Sequence, residues 1–306
     1  MHWDHYWDIT KALSSFGDSN SPLGYPEEVL IFWESVVKDK KENKSYLDLG
    51  TGKGALALWI QSILTRNNIK GKVSGCDLAN IKKAKIISSA DEINEAINKV
   101  EFKFNTPLEL LPYPSNSFDL LVSQFGFEYS KWSESLPEAM RVLKDNGEII
   151  LMMHHPDSVI TNDCRGGKKI LSWFLTEKIF DDLATIISLK LSGEDLSFNK
   201  RNKQIIQKIQ SLEVHNDGEQ VWFMDIMSQI SKLMISLTKE SVIALIELKN
   251  AVNKQIDRLD DQLSVAFEEQ EIKNKIQATQ IKSKGIKTER FYVDKALFSW
   301  KVTINK

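Results

Sequence analysis

The stretch SYLDLGTGKGALALWI, residues 45–60, decides the fold. An apolar run over 45–49 reads as a strand. Gly50, Gly52 and Gly54 then alternate with other residues, and a second apolar run over 55–65 reads as a helix. A strand, a glycine turn and a helix start together hold an anionic or strongly polar ligand. Glycine lets the ligand touch backbone, and the helix N-terminus directs its free N–H groups at it. The glycines alone leave the ligand open, because Gly50, Gly52 and Ala55 also satisfy the G-x-G-x-x-G/A spacing of dinucleotide sites. Asp48 narrows the choice. A carboxylate two residues before the first glycine repels a pyrophosphate and suits a ligand with a positive amino group.

Outward from this turn, strand and helix patterns alternate. Residues 72–76 form a second strand ending at Asp77, and 81–98 a helix with Ile86, Ile87, Ile93 and Ile97 on its apolar positions. Residues 100–104 are a third strand and 118–123 a fourth, entered from the turn-rich PYPSNS. Residues 133–143 are a helix stopped by Asp145-Asn146-Gly147, and 148–154 a fifth strand. Strands alternating with helices make βαβ units and a parallel sheet. Residues 157–283 carry almost no strand signal. Within them, 173–191 is amphipathic, and 244–267 repeats Leu245, Leu248, Val252, Ile256, Leu259, Leu263 and Ala266 as one buried helical stripe. Residues 288–293 and 297–304 close the chain as an antiparallel hairpin. The first 44 residues read as two helices. They hold Trp3, Tyr6 and Trp7 at helical spacing, then Trp33, and end in the charged linker KDKKENK over 38–44; aromatic rings of this size need packing partners.

The chain has 306 residues, with 42% hydrophobic and 27% charged residues and a net charge of -2. Its isoelectric point of about 6.3 excludes a protein built to neutralise many phosphates, so no nucleic-acid partner is expected. Cys76 and Cys164 form neither a disulfide framework nor a zinc pattern. The first residues, MHWDHYWDIT, lack the basic start and apolar core of a signal peptide, and no run of about 18 apolar residues occurs, so the expectation is a cytoplasmic protein with no membrane span.

Four motifs in order carry a resemblance to class I S-adenosylmethionine-dependent methyltransferases, in particular the small-molecule branch that includes quinone-biosynthesis enzymes. LDLGTGKG resembles the family's first motif. SGCDLA places Asp77 at the acid that binds the ribose hydroxyls. LELLPYPSNSFDLLVSQFGFEY and PEAMRVLKDNGEIILMM resemble the stretches around strands four and five. The resemblance covers 45–156 and 284–306. It implies an α/β, Rossmann-like, seven-stranded, mostly parallel sheet with an antiparallel last strand, and S-adenosyl-L-methionine as cofactor. It further implies that Gly50 and Gly52 approach the methionine part and ribose, that Asp48 receives the amino group, and that Asp77 bridges the ribose hydroxyls with Leu78 on the adenine. Ser123 and Gln124 would lie under the sulfonium. The family's acidic residue before "LP" is replaced here, since Pro107 stands there within NTPLE. Asn105 or Thr106 is left to supply an oxygen and the Leu108 N–H to meet the ring.

Open α/β sheets bind ligand and substrate at the carboxyl ends of their strands. His154 and His155 fall at that edge of strand five. A histidine titrates near neutral pH and can take a proton from an attacking hydroxyl or amine, so both are candidate catalytic residues, although alternate residues of a strand face opposite sides. No third ligand has a telling spacing with them, and no metal is expected. Tyr6, Tyr25 and Tyr129 are candidate pocket residues. A crossover of 127 residues, 157–283, far exceeds the dozen or so required, so it is read as a helical insertion or lid. Its last part, the end of the stripe through Leu259 and Leu263, would be the core helix before strand six, and its apolar segment 221–237 a greasy wall, a homodimer interface or a satellite core.

The expectation is an enzyme: a methyltransferase acting on an oxygen or nitrogen of a small, partly apolar molecule. The organisation is an N-terminal helical cap (1–44), a core (45–156 and 284–306) and a helical insertion (157–283). A macromolecule methyltransferase and a non-catalytic scaffold using the insertion as a partner-binding arm are the alternatives.

Overall fold

The computed structural model describes residues 2–15, 21–40 and 43–306. Parts of the turn after the first helix and of the KDKKENK linker therefore lie outside the described residues. The chain divides into two compact units: residues 1–159 with 265–306, and residues 160–264.

The first unit is a seven-stranded sheet in the order β3-β2-β1-β4-β5-β7-β6. Its strands are β1 (Lys44–Leu49), β2 (Gly71–Cys76), β3 (Glu101–Lys103), β4 (Phe118–Gln124), β5 (Leu143–Met153), β6 (Gly285–Val293) and β7 (Ala296–Asn305). β1 to β5 run parallel, and β7 pairs antiparallel with both β5 and β6. The order reverses between β1 and β4, so the carboxyl ends of these two strands open the crevice where ligands bind in such sheets. α1 (His2–Ile9) and α2 (Glu27–Lys38) precede the sheet, and α3 (Ala55–Arg66), α4 (Asp91–Lys99) and α5 (Trp132–Val142) are its crossovers.

β-branched and leucine-rich runs buried on both faces explain why the central strands show no alternation. One face is a core of Leu47, Leu49, Leu121, Ile149, Leu151, Met153, Val302 and Ile304 covered by α5 and by α11 (Glu269–Ala278). On the other side, α3 buries nine of its twelve residues. The indole N–H of Trp59 on α3 donates to the Leu30 carbonyl of α2 at 3.0 Å, which ties the N-terminal segment to the crossover layer.

The second unit holds α6 (Val159–Thr176), whose first residue belongs to the first unit, then α7 (Ile179–Leu191), α8 (Asp195–Gln210), α9 (Asp217–Met234) and α10 (Lys239–Ser264). Its separate core runs through Phe174, Ile179, Ile187, Ile205, Ile226, Leu245, Val252 and Leu259.

Three local expectations change. The helix expected over 81–98 begins only at Asp91, because Ile81 and Ile86 are both buried in irregular chain around a 3-10 turn at Lys83–Lys85. Ser88 and Asn94 lock that start, the Asn94 amide donating to the Ser88 carbonyl at 2.8 Å and its oxygen accepting from Ser88 N–H at 3.0 Å. Asp145-Asn146-Gly147 does not simply end a helix. It is looped out within β5, whose pairing with β4 slips between Phe118 and Leu120, with Asn146 at φ 63°. Leu259 and Leu263 lie on α10 in the second unit. The helix before β6 in the first unit is α11, which buries Ile272 and Ile276.

Candidate active site

The glycine loop joins β1 to α3. Gly50, Gly52 and Gly54 adopt φ values of 70°, 53° and 91°, the left-handed region that favours glycine. Gly50 also lies against a second glycine: a Cβ on it would stand 2.9 Å from Gly126 Cα, the turn after β4. The N–H groups of Gly50 and Thr51 both donate to the Cys76 carbonyl at 2.9 Å, which holds the loop beside the end of β2.

Two carboxylates flank this loop. Asp48 is 2% exposed and accepts from the Thr51 hydroxyl at 2.6 Å. Among the described residues no cationic side chain pairs with it. Burial pushes its pKa up to about 7, against the pull of the Thr51 hydroxyl and a backbone N–H bond from Ala57, with Asp77 adding repulsion. Asp77 is half-buried and accepts at one oxygen from Gly52 N–H (2.7 Å) and at the other from Ala79 N–H (2.8 Å). Its pKa is also raised, chiefly by burial. A buried anion without a counter-charge is costly, and a cationic ligand relieves it. Asp48 thus offers an uncompensated carboxylate that fits the ammonium of an amino-acid ligand, while the loop supplies close backbone approach. Tyr25 is buried near Asp48; burial first, then the Asp48 charge, push its hydroxyl pKa up. Its place is beside the donor loop.

Around Asp77, Thr106 N–H donates to the Asp77 carbonyl at 2.8 Å, so the turn after β3 sits against the end of β2. Thr106 is buried and its hydroxyl bonds the Phe104 carbonyl at 3.2 Å. Leu108 belongs to the core under the sheet, and Leu78 is 49% exposed at the loop's outer edge.

α1 covers this loop. A Cβ on Gly52 would lie 2.5 Å from Trp7 Cζ2. Lys53, 2% exposed, reaches the Thr10 carbonyl just past α1 at 2.5 Å, and Asn80 N–H donates to Asp4 at 2.8 Å. Lys85 pairs with Asp8. Trp3 stacks edge-on with Tyr6 at 5.7 Å and with Tyr129 at 5.6 Å, and Tyr129 stands perpendicular to His154 at 6.0 Å. Tyr6, Tyr129 and His154 are therefore brought into one aromatic group, whereas Tyr25 is buried within electrostatic reach of Asp48.

The ends of β4 and β5 complete the edge. Ser123 is fully buried; it donates to the Leu49 carbonyl at 2.6 Å and accepts from Phe127 N–H at 3.0 Å, pinning the turn after β4 to β1. Gln124 accepts from the Trp33 indole N–H at 2.6 Å, and its own amide nitrogen is buried without a hydrogen-bond partner. The two histidines part company. His155 lies 4.1 Å from the Trp300 ring and accepts from Asp157 N–H at 3.0 Å, an anchoring arrangement. Burial holds its pKa below the ordinary histidine value, with Arg290 contributing. His154 faces Phe125, 4.7 Å between rings, and Nδ1 lies 2.8 Å from Oε1 of Glu128. Glu128 was not among the expected site residues. Its only sequence signal is a carboxylate set between aromatic residues in FGFEY, where a solvated position would not need three rings.

Residues 47–151 match the family model described as "Methyltransferase domain". Among solved structures, a SAM-dependent methyltransferase from Aquifex aeolicus is 23% identical, covering 45% of this chain and 76% of its own, with a TM-score of 0.35. Phosphoethanolamine N-methyltransferase 1 of Haemonchus contortus, solved with phosphoethanolamine and S-adenosylhomocysteine, is 19% identical over 51% of this chain and 31% of its own, TM-score 0.38. The CMeT domain of the citrinin polyketide synthase covers 91% of this chain and 51% of its own at 11% identity and a TM-score of 0.45. Two curated sequences, each a component of the nuclease SbcCD from a strain of Staphylococcus epidermidis, are 22% identical over 192 residues, 59% of this chain, which spans 19% of their length. No helix among the described residues is long and apolar enough to cross a membrane. The matched domain coincides with the strand–glycine–helix unit and its uncompensated Asp48: residues 47–151 match a methyltransferase domain, carried on a seven-stranded Rossmann-like sheet.

Proposed function

We propose that the methyl acceptor is a small molecule, attacked through oxygen or nitrogen, in the manner of the quinone-biosynthesis-like branch. The observation that carries this reading is the aromatic enclosure of Trp3, Tyr6 and Tyr129 beside buried His154, which suits a small, partly apolar acceptor better than a polymer chain. In this reading Asp48 takes the ammonium of the cofactor, Asp77 its ribose hydroxyls, and Gly50 and Gly52 the path between. Leu78, Thr106 and Leu108 border the adenine, and Ser123 and Gln124 underlie the sulfur. S-adenosylmethionine supplies an activated methyl group on a positive sulfur, so alignment of the acceptor accounts for much of the rate. His154 is the proton-accepting candidate, and His155 serves the anchoring of β5.

The helical unit is entered directly after β5, and we assign it a part in acceptor selection from that connectivity. A cytoplasmic homodimer held through that unit is the accompanying proposal, supported by exposed Val221, Met224, Ile243 and Ile246 on α9 and α10.

A crystal structure with S-adenosylhomocysteine tests the site. The expected result is the amino group at Asp48, the ribose on Asp77 and the sulfur turned toward the ends of β4 and β5. A ligand bound elsewhere overturns the assignment.

A further inference from the structure

Glu128 and His154 form a deeply enclosed polar pair in the first unit, with side chains 0% and 2% exposed. Oε1 of Glu128 receives two bonds from the same residue, the His154 backbone N–H at 3.1 Å and the imidazole Nδ1 at 2.8 Å. The other two polar ends, Glu128 Oε2 and His154 Nε2, are buried with no hydrogen-bond partner, as is the nearby Gln124 Nε2. Gln124 is in register with Met152, and His154 follows two residues later, just past the end of β5.

A pair retained only for packing would have its polar atoms satisfied, because a buried polar group left without a partner is destabilising. Orphans gathered at the carboxyl edge of β4 and β5, where the acceptor reading above already places the chemistry, point to a ligand that completes them. The bonding pattern also fixes the tautomer. A carboxylate oxygen only accepts, so the proton of a neutral imidazole belongs on Nδ1 and the lone pair on Nε2. Nucleophile-activating bases in enzymes share this arrangement: a third group holds the ring so that the far nitrogen is the basic one.

We propose that Glu128 is a positioning residue that holds His154 as the Nδ1–H tautomer, leaving Nε2 to take the proton of a hydroxyl acceptor. The inference rests on the methyltransferase reading of this edge. As the acceptor oxygen bonds to the methyl carbon, the carbon–sulfur bond breaks with its electrons going to sulfur. The hydroxyl proton passes to His154 Nε2, and the resulting imidazolium faces the Glu128 carboxylate. A free amine needs no such base before attack, so the dyad favours oxygen over nitrogen as the acceptor atom.

The test is nitrogen NMR on the full-length protein labelled with 15N, reading the ring-nitrogen shifts of His154 in the neutral ring, with the signal identified by its loss in His154→Asn. The expected result is an Nδ1–H ring in the wild type. Glu128→Gln, which keeps an accepting oxygen, retains that tautomer. Glu128→Ala shifts it toward Nε2–H by about tenfold or more. An Nε2–H ring in the wild type, or an unchanged ring in Glu128→Ala, overturns the proposal. Calorimetry with S-adenosylhomocysteine on the same samples separates the two readings. Loss of binding in all of them, the wild type included, with the tautomer pattern intact, sinks the donor site and leaves the positioning role standing.

Discussion

The indole of Trp7 stands directly over Gly52, where an added Cβ would lie 2.5 Å from Trp7 Cζ2. The donor loop is thus shaped by α1 as well as by its own sequence. Gly52→Ala meets two penalties together, a φ of 53° and the ring. The backbone penalty alone costs about 1–2 kcal/mol. Expected outcomes are weaker binding of S-adenosylhomocysteine and a shift in tryptophan emission as α1 is displaced. Unchanged emission and affinity would show that α1 does not sit on the loop.

Asp48 gives a pH dependence with a definite sign. Its pKa is raised to about 7 in the fold from an ordinary value of 3.8. A raised carboxyl favours the folded state when protonated. Its stability contribution is therefore complete below about pH 4 and is lost as pH rises through about 7, a change on the order of a few kcal/mol. Asp48→Asn removes that slope: the ligand-free variant is expected to be more stable than the wild type at pH 8 by urea denaturation. The same change is expected to weaken cofactor binding, since the ammonium loses its counter-charge. A wild type whose stability rises between pH 5 and 8 through Asp48 would contradict this.

Ser123 separates framework from site. Its hydroxyl bridges the Leu49 carbonyl and the Phe127 N–H while fully buried. Ser123→Ala leaves both groups short of a partner and is expected to lower unfolding free energy by about 1–3 kcal/mol. Binding of S-adenosylhomocysteine to the folded fraction should change much less. A large affinity loss with stability unchanged would instead place the hydroxyl on the ligand.

Ile272 tests which helix serves the sheet. It is fully buried in α11 and shares the core of the first unit with Trp132 and Trp300. Ile272→Ala is expected to destabilise that unit by about 2–5 kcal/mol, read as an earlier unfolding transition reported by loss of cofactor binding. The equivalent change at Leu259 should act on the core of the helical unit, to which that residue belongs.

The sheet was legible in the sequence because each central strand is a short apolar run closed by a turn signal, and because Asp48, the glycines and Asp77 lie at strand ends. The bounds failed where tertiary contacts outweigh periodicity. Ile81 and Ile86 mimic a helical stripe yet are buried in irregular chain, and the turn residues 145–147 are absorbed by β5. At the carboxyl edge of the sheet, the positions of both aspartates and of His154 at strand ends were readable from the sequence. Glu128 was not, because a glutamate after a strand carries no sign of burial; only the fold brings it against His154. Nor was the cover of Gly52 by Trp7, which joins residues far apart in the chain.

The central claim is that Asp48, Asp77 and the glycine loop bind S-adenosylmethionine. Isothermal titration of the purified protein with S-adenosylhomocysteine, repeated on Asp77→Ala, tests it most directly. The account predicts one-to-one binding by the wild type and a loss of about tenfold or more in Asp77→Ala, where charge-assisted bonds to the ribose are gone. No heat of binding in a folded wild type, or equal affinity in Asp77→Ala, would contradict it.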